Sequence, residues 1–330
     1  MMNREPSPQT VSEFDLIGRY FKRPAPAGML GVGDDCALFA VPPGMHVATS
    51  KDLLLEGRHF FADVAPDALG HKALAVNLSD LAAMGAQPLG CLLGLALPAA
   101  HAVPAWLSAF ARGFLDLADT HSCPLIGGDT TRSDTGLMIS VTVFGAVPAE
   151  QALRRDAARP GDDIWVSGQL GEADVALDIM QGRLNDQHGA LAVLRHALER
   201  PEPQIALGLA LCGVAHAALD ISDGLLQDLA HILAASACGA ELQEADLPIA
   251  ETLAGYSAEV RRKAALGGGD VYQLCFTAPT DKRQQVQQIA AQLGVRLTKI
   301  GRVTVEPGLR VLDASGQCLQ TLPKGFDHFA

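Results

Sequence analysis

The stretch HKALAVNLSDLAAMGA, residues 71–86, is an apolar helical pattern that carries a single carboxylate, Asp80. Pro66 stands shortly before it, where proline commonly opens a helix. The next run, residues 89–97, is short and apolar and is closed by Pro98, which predicts a buried strand. A long apolar helix followed by a buried strand favours an α/β fold class.

The same mixture of elements continues on both sides of this stretch. Thr10 and Glu13 form a capping-box pattern that predicts a helix start, with Phe14, Ile17 and Phe21 on one helical face. We further expect a glycine-rich turn at 31–39, a β-rich stretch at 46–60, a helix at 104–120, a turn at 125–134 and a strand at 136–147.

A charged connector that contains proline and glycine, RRDAARPGDD (154–163), separates two halves of the chain. We therefore predict a domain boundary near residue 150, with an N-terminal domain at 1–150 and a C-terminal domain at 151–330. In the second half the patterns predict helices at 173–183, 188–199, 224–237 and 281–293, and strands at 164–168, 217–222 and 271–277.

Composition excludes several classes of protein. Hydrophobic residues make up 48% of the 330 residues and charged residues only 19%, which is too apolar for a disordered chain. The formal net charge of −12 disfavours nucleic acid as a partner and instead suggests a need for cations. The seven scattered cysteines show no metal-ligand spacing, and no apolar run is long enough to span a bilayer. We expect a cytoplasmic enzyme without membrane contact.

The distinctive feature is a set of aspartates that lie in turns of small residues beside apolar elements. They are Asp34, Asp35, Asp52, Asp80, Asp129, Asp220 and Asp223. Taken singly, Asp80 and Asp223 could cap helices, and Asp34 and Asp129 could shape turns. Because the apolar segments must share a core, several of these carboxylates are instead expected to converge, and a convergent cluster requires protons or cations.

Oxygen ligands without histidine or cysteine favour Mg²⁺, and carboxylate-held Mg²⁺ commonly accompanies a nucleoside triphosphate. The chain has no lysine directly after a glycine, so a P-loop is excluded, and it has no protein-kinase motif. Phosphoryl transfer would then depend on metal ions, on backbone amides of glycine-rich turns and on arginines such as Arg155.

Several long motifs resemble the thiamine-monophosphate kinase family, in order and across nearly the whole chain. They are GVGDDCALF (31–39), DLLLEGRHF (52–60), the stretch at 71–86, LIGGDTT (125–131), RPGD (159–162), LDISDGL (219–225), GGDVYQLCFT (268–277) and KGFDHF (324–329). The resemblance implies the two-domain fold of the aminoimidazole ribonucleotide synthetase superfamily, with mixed sheets and an N-terminal domain that pairs in a homodimer. It also implies direct in-line transfer from ATP to thiamine phosphate, which gives thiamine diphosphate, with a C-terminal domain that closes over the nucleotide.

The resemblance also implies roles for individual residues. The expected Mg²⁺ ligands are Asp35, Ser50, Asp52, Asp80, Asp129, Asp220 and Asp223. The expected nucleotide contacts are Gly128, Asp129, Arg155 and Ser222, and the expected substrate contacts are His59, Asp270 and Phe326. Asp80, Asp129 and Asp220 are the residues on which catalysis is expected to depend.

Four positions depart from the family pattern. Lys51 stands between two expected metal ligands, Val271 and Gln273 replace acidic residues, and Phe326 stands where tyrosine is common. These departures leave two alternatives open. The chain could be a related ATP-using enzyme that acts on another phosphorylated metabolite, or a nucleotide- or thiamine-binding protein with weak turnover.

Overall fold

The computed structural model describes residues 13–33, 36–186 and 189–326. The expected ligand Asp35, its neighbour Asp34 and the capping residue Thr10 lie outside the described residues. By their contacts the residues divide into two compact units. The first comprises residues 1–40, 51–74 and 89–143, and the second comprises 41–50, 75–88 and 144–330.

A four-stranded sheet in the order β1-β4-β2-β3 contains the predicted strands of the first half. Its members are β1 (Met45–Leu55), β2 (Gln87–Leu97), β3 (Leu125–Arg132) and β4 (Met138–Pro148). The prediction of a turn at 125–134 is wrong, because Leu125–Arg132 pairs in parallel with β2. The glycine pair and the polar residues of LIGGDTTR give this segment the composition of a turn. Its strand conformation is stabilised by backbone hydrogen bonds to β2, despite its low β-propensity.

Three helical segments belong to the same half of the sequence. A short helix α1 (Glu13–Leu16) runs into a π-helical turn at Ile17–Phe21, followed in sequence by α2 (Pro66–Ala83) and α3 (Pro104–Thr120). Helices α2 and α3 both begin at a proline, as predicted for Pro66 and for the helix at 104–120. Residues 68–79 of α2 are buried without interruption, which fits a sequence that is apolar on every side.

A six-stranded mixed sheet in the order β10-β7-β9-β5-β8-β6 forms the centre of the second half. The strands are β5 (Asp163–Ser167), β6 (Ala217–Asp220), β7 (Gly239–Gln243), β8 (Leu274–Ala278), β9 (Leu297–Thr304) and β10 (Gly308–Leu312). The helices are α4 (Glu172–Met180), α5 (Leu191–Glu199), α6 (Ile205–Leu211), α7 (Leu225–Ala235), α8 (Ala258–Gly267) and α9 (Arg283–Leu293).

The apolar core of this sheet determines where the polar loops must emerge. Ile164, Leu219 and Cys275 lie in the core on adjacent strands, and Leu225 and Leu229 of α7 cover them. The strand predicted at 271–277 begins only at Leu274. Residues 270–272 form a loop instead, with Asp270 and Tyr272 at positive φ, a backbone conformation that pairing in a sheet does not allow. None of the described helices is long and apolar enough to cross a membrane.

Candidate active site

Two carboxylates, the partly buried Asp80 and the buried Asp220, form the centre of the candidate site. Asp80 lies in the last turn of α2, and Asp220 is the final residue of β6. The Ser50 hydroxyl donates a hydrogen bond of 2.5 Å to Asp80 Oδ2, and the Ser79 hydroxyl donates one of 2.7 Å to Asp220 Oδ2. The structure therefore brings together three of the predicted site residues, together with Ser79, which the sequence analysis missed.

The two carboxylates are close enough to affect each other's ionisation. Burial and, to a smaller extent, the charge of Asp80 raise the pKa of Asp220 to about 7, against the opposing effect of the Ser79 hydrogen bond. Burial also raises the pKa of Asp80, against the hydrogen bond from Ser50 and the positive charge of Arg155. Both carboxylates are thus held in surroundings that favour neutralisation.

The position of Asp80 in its helix excludes the capping interpretation. A capping aspartate stands at a helix N-terminus, where free N–H groups and the helix dipole favour negative charge. Asp80 lies at the opposite end of α2, where the dipole disfavours a carboxylate. A partly buried acid at the negative end of a helix destabilises the fold when ionised, which favours a functional role for Asp80.

A cleft of about 300 Å³ opens beside the two carboxylates. Ser50, Asp80, Arg155 and Asp220 contribute to its lining, together with small and apolar residues such as Ala48 and Ala218. The cleft thus combines two acids, two hydroxyl residues (Thr49 and Ser50) and one guanidinium, a set that suits a cation together with a phosphate group.

The loop after β6 carries two further predicted residues, Ser222 and Asp223. Their backbone N–H groups, with that of Gly224, each donate a 3.0 Å hydrogen bond to Oδ2 of Asp228 in the first turn of α7. The side chain that caps this loop is therefore Asp228 rather than Asp223. Asp228 was not predicted, although a lone acid in the apolar helix LLQDLAHILAA is a readable signal.

Two of the predicted substrate residues are tied to the same loop by their backbones. The N–H of Asp270 donates to the carbonyl of Ser222 at 2.8 Å, and the N–H of Phe326 donates to the carbonyl of Asp223 at 2.9 Å. The Phe326 side chain is 40% exposed, and the Tyr272 hydroxyl reaches Asp270 Oδ1 at 3.2 Å. The loop after β6 therefore adjoins residues of both predicted classes, nucleotide and substrate.

The remaining predicted residues lie in the first unit. Gly128 and Asp129 stand on β3 opposite Leu93 and Gly94. Gly128 has φ +150°, and a Cβ there would lie 1.9 Å from the carbonyl oxygen of Leu93, so only glycine fits. Asp129 is exposed on the same strand.

His59 follows β1 in a turn that orients its ring. Its Nδ1 accepts a 3.0 Å hydrogen bond from the N–H of Leu55. A neutral histidine that accepts at Nδ1 carries its proton on Nε2, so this ring has a donor at its other nitrogen.

Alternation along β1 resolves the concern over Lys51. Ser50 and Asp52 are two residues apart and share one face of the strand, and both are half-buried. Lys51 points to the opposite, exposed face. Its ammonium group therefore does not stand between the two expected ligands.

The other departures from the family pattern also have local partners. Val271 packs against the apolar core of the six-stranded sheet. Gln273 Oε1 accepts a 2.7 Å hydrogen bond from the hydroxyl of Ser167, which in turn accepts one from the N–H of Leu274. In this chain both side chains support the fold of the loop.

In the part of the chain that the structure describes, no three His, Cys, Asp or Glu side chains converge closely enough to hold a metal ion. The donor chemistry at Asp80 and Asp220 nevertheless fits Mg²⁺. Asp220 is buried and Asp80 partly buried, the charge of Asp80 raises the pKa of Asp220, and the nearby Ser50 hydroxyl adds another oxygen. Oxygen-only donors with surplus negative charge are what this cation prefers.

Comparison with known proteins identifies the family of this chain. The family model "AIR synthase related protein, N-terminal domain" matches residues 33–147, and the corresponding C-terminal domain model matches residues 159–314. The thiamine-monophosphate kinase of Escherichia coli K12 is 42% identical over 324 residues, which cover 96% of this chain and 98% of that enzyme. The chain belongs to the thiamine-monophosphate kinase family. The predicted family and the predicted two-domain mixed α/β fold are thereby confirmed.

Two solved structures of this family extend the comparison to three dimensions. The thiamine-monophosphate kinase of Stenotrophomonas maltophilia K279a has 45% sequence identity and a TM-score of 0.81, covering 89% of this chain and 93% of that one. A second, AaThiL complexed with AMPPCP and TMP, has 29% identity and a TM-score of 0.76, covering 88% and 89%. The similarity thus extends to a family member that was crystallised with both ligands.

Proposed function

We propose that this chain transfers the γ-phosphoryl group of ATP to thiamine phosphate and releases ADP and thiamine diphosphate. The observation that carries the proposal is the Asp80–Asp220 pair at a cleft lined by Arg155, in a chain 42% identical over nearly its full length to a thiamine-monophosphate kinase. The related structure that holds AMPPCP, a non-hydrolysable ATP analogue, together with TMP supports the same pair of substrates.

The proposed cofactor is Mg²⁺, in more than one ion. We assign its ligands to Asp35, Ser50, Asp52, Asp80, Asp129, Asp220 and Asp223. When bound, Mg²⁺ neutralises the phosphate charge that develops during transfer. Supporting this assignment, Ser50, Asp80 and Asp220 lie at one cleft, and Asp52 shares the face of β1 that carries Ser50.

The chain's own residues position the two substrates. We assign nucleotide contacts to Gly128, Asp129, Arg155 and Ser222, and contacts to thiamine phosphate to His59, Asp270 and Phe326. The guanidinium of Arg155 suits a triphosphate oxygen, and Phe326 offers an exposed ring on which an aromatic heterocycle can stack. His59 offers an Nε2–H to a phosphate or hydroxyl oxygen.

The proposed transfer needs no strong general base. The attacking oxygen belongs to a phosphate that is largely ionised at neutral pH, so it can approach the γ-phosphorus directly. A new P–O bond forms as the bond to the bridging oxygen breaks, and ADP leaves with that electron pair. Asp80, Asp129, Asp220 and their neighbours would hold the cations that neutralise this charge, and together with substrate positioning this accounts for catalysis without a covalent enzyme intermediate.

We also propose that the chain acts as a cytoplasmic homodimer that binds neither nucleic acid nor membrane. The outer face of β1 supports the dimer, since Val47, Leu53 and Leu55 are 49%, 50% and 42% exposed on it. Among the named strands β1 stands at the edge of its sheet. An apolar edge strand of this kind is commonly covered by a partner.

The domain organisation is likewise a proposal. We place the ATP-binding and dimerisation domain at residues 1–150 and the domain that closes over nucleotide and substrate at 151–330. The ranges of the two family models, 33–147 and 159–314, support a boundary in this region.

One assay tests the function. The purified protein, incubated with ATP, Mg²⁺ and thiamine phosphate, is expected to form ADP and thiamine diphosphate in equal amounts, with thiamine and other phosphate monoesters as control acceptors. Turnover only with another monoester would assign a different substrate. Binding of AMPPCP without turnover of any acceptor would identify a nucleotide-binding protein rather than an enzyme.

A further inference from the structure

Asp228 makes an unusual set of hydrogen bonds beside the proposed active site. A single oxygen, Oδ2, accepts the backbone N–H groups of Ser222, Asp223 and Gly224, each at 3.0 Å. The residue is only 5% exposed and lies in the first turn of α7. Three donors on one buried carboxylate oxygen fix the orientation of three consecutive peptide groups.

The carbonyl groups of the same loop hold two other segments of the chain. Tyr272 donates its N–H to Ile221 at 2.7 Å, and Asp270 donates to Ser222 at 2.8 Å. Phe326 donates to Asp223 at 2.9 Å, and the Phe326 carbonyl accepts 2.7 Å from the side chain of Gln227. The N–H groups of the loop therefore donate to Asp228, and its carbonyl groups accept hydrogen bonds from Tyr272 and from the two proposed substrate residues Asp270 and Phe326.

Close packing makes this arrangement specific. A Cβ on Gly269 would lie 2.5 Å from the Ser222 carbonyl oxygen, and one on Gly325 would lie 2.7 Å from that of Asp223. The residues that follow Gly269 adopt strained backbone, with Asp270 at φ 58° and Tyr272 at φ 53°. Such conformations persist only where surrounding contacts impose them, and here the contacts are hydrogen bonds to the loop.

We propose that Asp228 is a positioning residue that couples the nucleotide side of the site to the substrate side. By fixing the peptides of residues 222–224, it sets both the direction of Ser222 and Asp223 and the places where Asp270 and Phe326 dock. This inference rests on the proposed function for the roles of those four residues. The hydrogen-bond network itself is independent of it.

The test compares Asp228→Ala and Asp228→Asn with the wild-type protein in steady-state kinetics. Loss of all three acceptor bonds in Asp228→Ala is expected to raise the KM values for MgATP and for thiamine phosphate together, each by about tenfold or more. Asp228→Asn keeps one acceptor oxygen at the same distance from the backbone, so both of its KM values are expected to lie much closer to wild type than those of Asp228→Ala. A residue that only stabilises the fold would lower the melting temperature and leave both KM values of the folded enzyme unchanged.

A matched control is available elsewhere in the second unit. Asp162 is also buried, accepts the N–H of Arg159 at 2.9 Å and contacts the ring of His216 at 2.9 Å. Asp162→Ala is expected to lower stability without changing either KM. If Asp228→Ala behaves like Asp162→Ala, the positioning role is refuted.

A double-mutant cycle sharpens the assignment, and a binding measurement separates it from the proposed function. Asp228→Ala combined with Phe326→Ala is expected to raise the KM for thiamine phosphate by less than the product of the single effects, since both act on one contact. Multiplicative effects would contradict the coupling.

Affinity for Mg²⁺ and AMPPCP is measured on the same proteins. Wild type that binds them but does not turn over would refute the kinase function. Unchanged affinity in Asp228→Ala would refute the positioning role.

Discussion

Two acidic sites in the second unit, Asp178 and the Asp80–Asp220 pair, differ in the groups that hydrogen-bond to their carboxylates. Asp178 has cations within the chain, because Lys263 Nζ lies 2.6 Å from its Oδ2 and Arg183 Nε lies 2.7 Å from its Oδ1. Asp80 and Asp220 have hydroxyl partners instead. Burial works against ionisation at Asp178, but the two cations prevail and lower its pKa, whereas burial and Asp80 raise the pKa of Asp220 to about 7.

We interpret this difference as one between acids that support the fold and acids that, as proposed above, bind an external cation. A carboxylate that supports the fold has its counter-charge on neighbouring side chains, so the local cluster is close to neutral before any ligand binds. At the Asp80–Asp220 pair the charge of Arg155 lowers the pKa of Asp80, but burial outweighs it, so protons or a bound cation would reduce the remaining cost of ionisation. The contrast makes the pair, and not the larger count of aspartates in the sequence, the informative feature.

The largest expected effect on activity comes from removing one charge of the Asp80–Asp220 pair. Asp80→Asn or Asp220→Asn is expected to reduce kcat for thiamine diphosphate formation by about a thousandfold or more, as is typical when a group that organises developing charge is lost. Circular dichroism is expected to show an intact fold, because the amide keeps the shape of the carboxylate.

Asp178 provides the control for that experiment. Asp178→Asn is expected to cost about 1 kcal/mol of stability through its weakened contacts with Lys263 and Arg183, while kcat stays within about twofold of wild type. If Asp178→Asn inactivates the enzyme and Asp80→Asn does not, the two clusters have been assigned the wrong roles.

A second effect concerns pH and stability in the absence of metal. Burial raises the pKa of Asp220 to about 7 and that of Asp228 to about 6, so the folded state binds protons that the unfolded chain has released. Stability therefore falls as pH rises, from little cost near pH 4 to the full cost above pH 7. We expect the melting temperature of the chelator-treated protein to fall by about 5 °C or more between pH 5 and pH 8.

Variants and added metal show whether that decline belongs to the Asp80–Asp220 pair. Asp220→Asn is expected to flatten it, and Mg²⁺ is expected to raise the melting temperature of wild type most at the higher pH. Asp178→Asn is expected to leave the slope as steep as in wild type, since the lowered pKa of Asp178 places its titration below this pH range. Equal slopes in wild type and Asp220→Asn would mean that the acid of the cleft does not titrate in this range.

An intermediate effect is expected from the hydroxyl partner of Asp220. Ser79→Ala removes a buried 2.7 Å hydrogen bond and leaves the carboxylate itself in place. We expect the Mg²⁺ concentration for half-maximal activity to rise by about tenfold, with kcat at saturating Mg²⁺ little changed. A change in kcat alone would instead place Ser79 among the groups that act on the transferred phosphate.

The smallest effect is expected at Lys51. Because Lys51 lies on the exposed face of β1, Lys51→Thr is expected to change kcat/KM by less than about twofold. Its effect is expected in assembly, where analytical ultracentrifugation should show a tighter dimer once a charge is removed from an apolar face. A large loss of activity would place Lys51 near the phosphates after all.

The sequence predicts this fold where a pattern is long and local. Pro66 and Pro104 open helices at the predicted positions, and residues 89–97 form the predicted buried strand within β2. β3 was missed because its residues, LIGGDTTR, have turn composition, and its strand conformation is imposed by pairing with β2. Composition describes the chain alone, and it contains no information on which neighbour will pair with it.

The candidate site shows the same limit at the level of side chains. Asp80 and Asp220 could be predicted because both lie in long motifs, and their charges required a common explanation. Ser79 could not, because its importance lies in its contact with Asp220, 141 residues away in sequence. For Asp228 the sequence offered only its position as an acid in an apolar helix, and the three backbone contacts appear only in the structure. Lys51 raised a false concern, which only the alternation of β1 removes.

The docking of residues 324–326 has a practical consequence for work with this protein. Phe326 is fastened to Asp223 and Gln227 through its main chain, so the position of its ring depends on the path of the backbone around it. An affinity tag fused after this segment can alter the apparent preference for thiamine phosphate without touching any side chain. Kinetic measurements are therefore best made with the tag at the amino terminus, or after its removal.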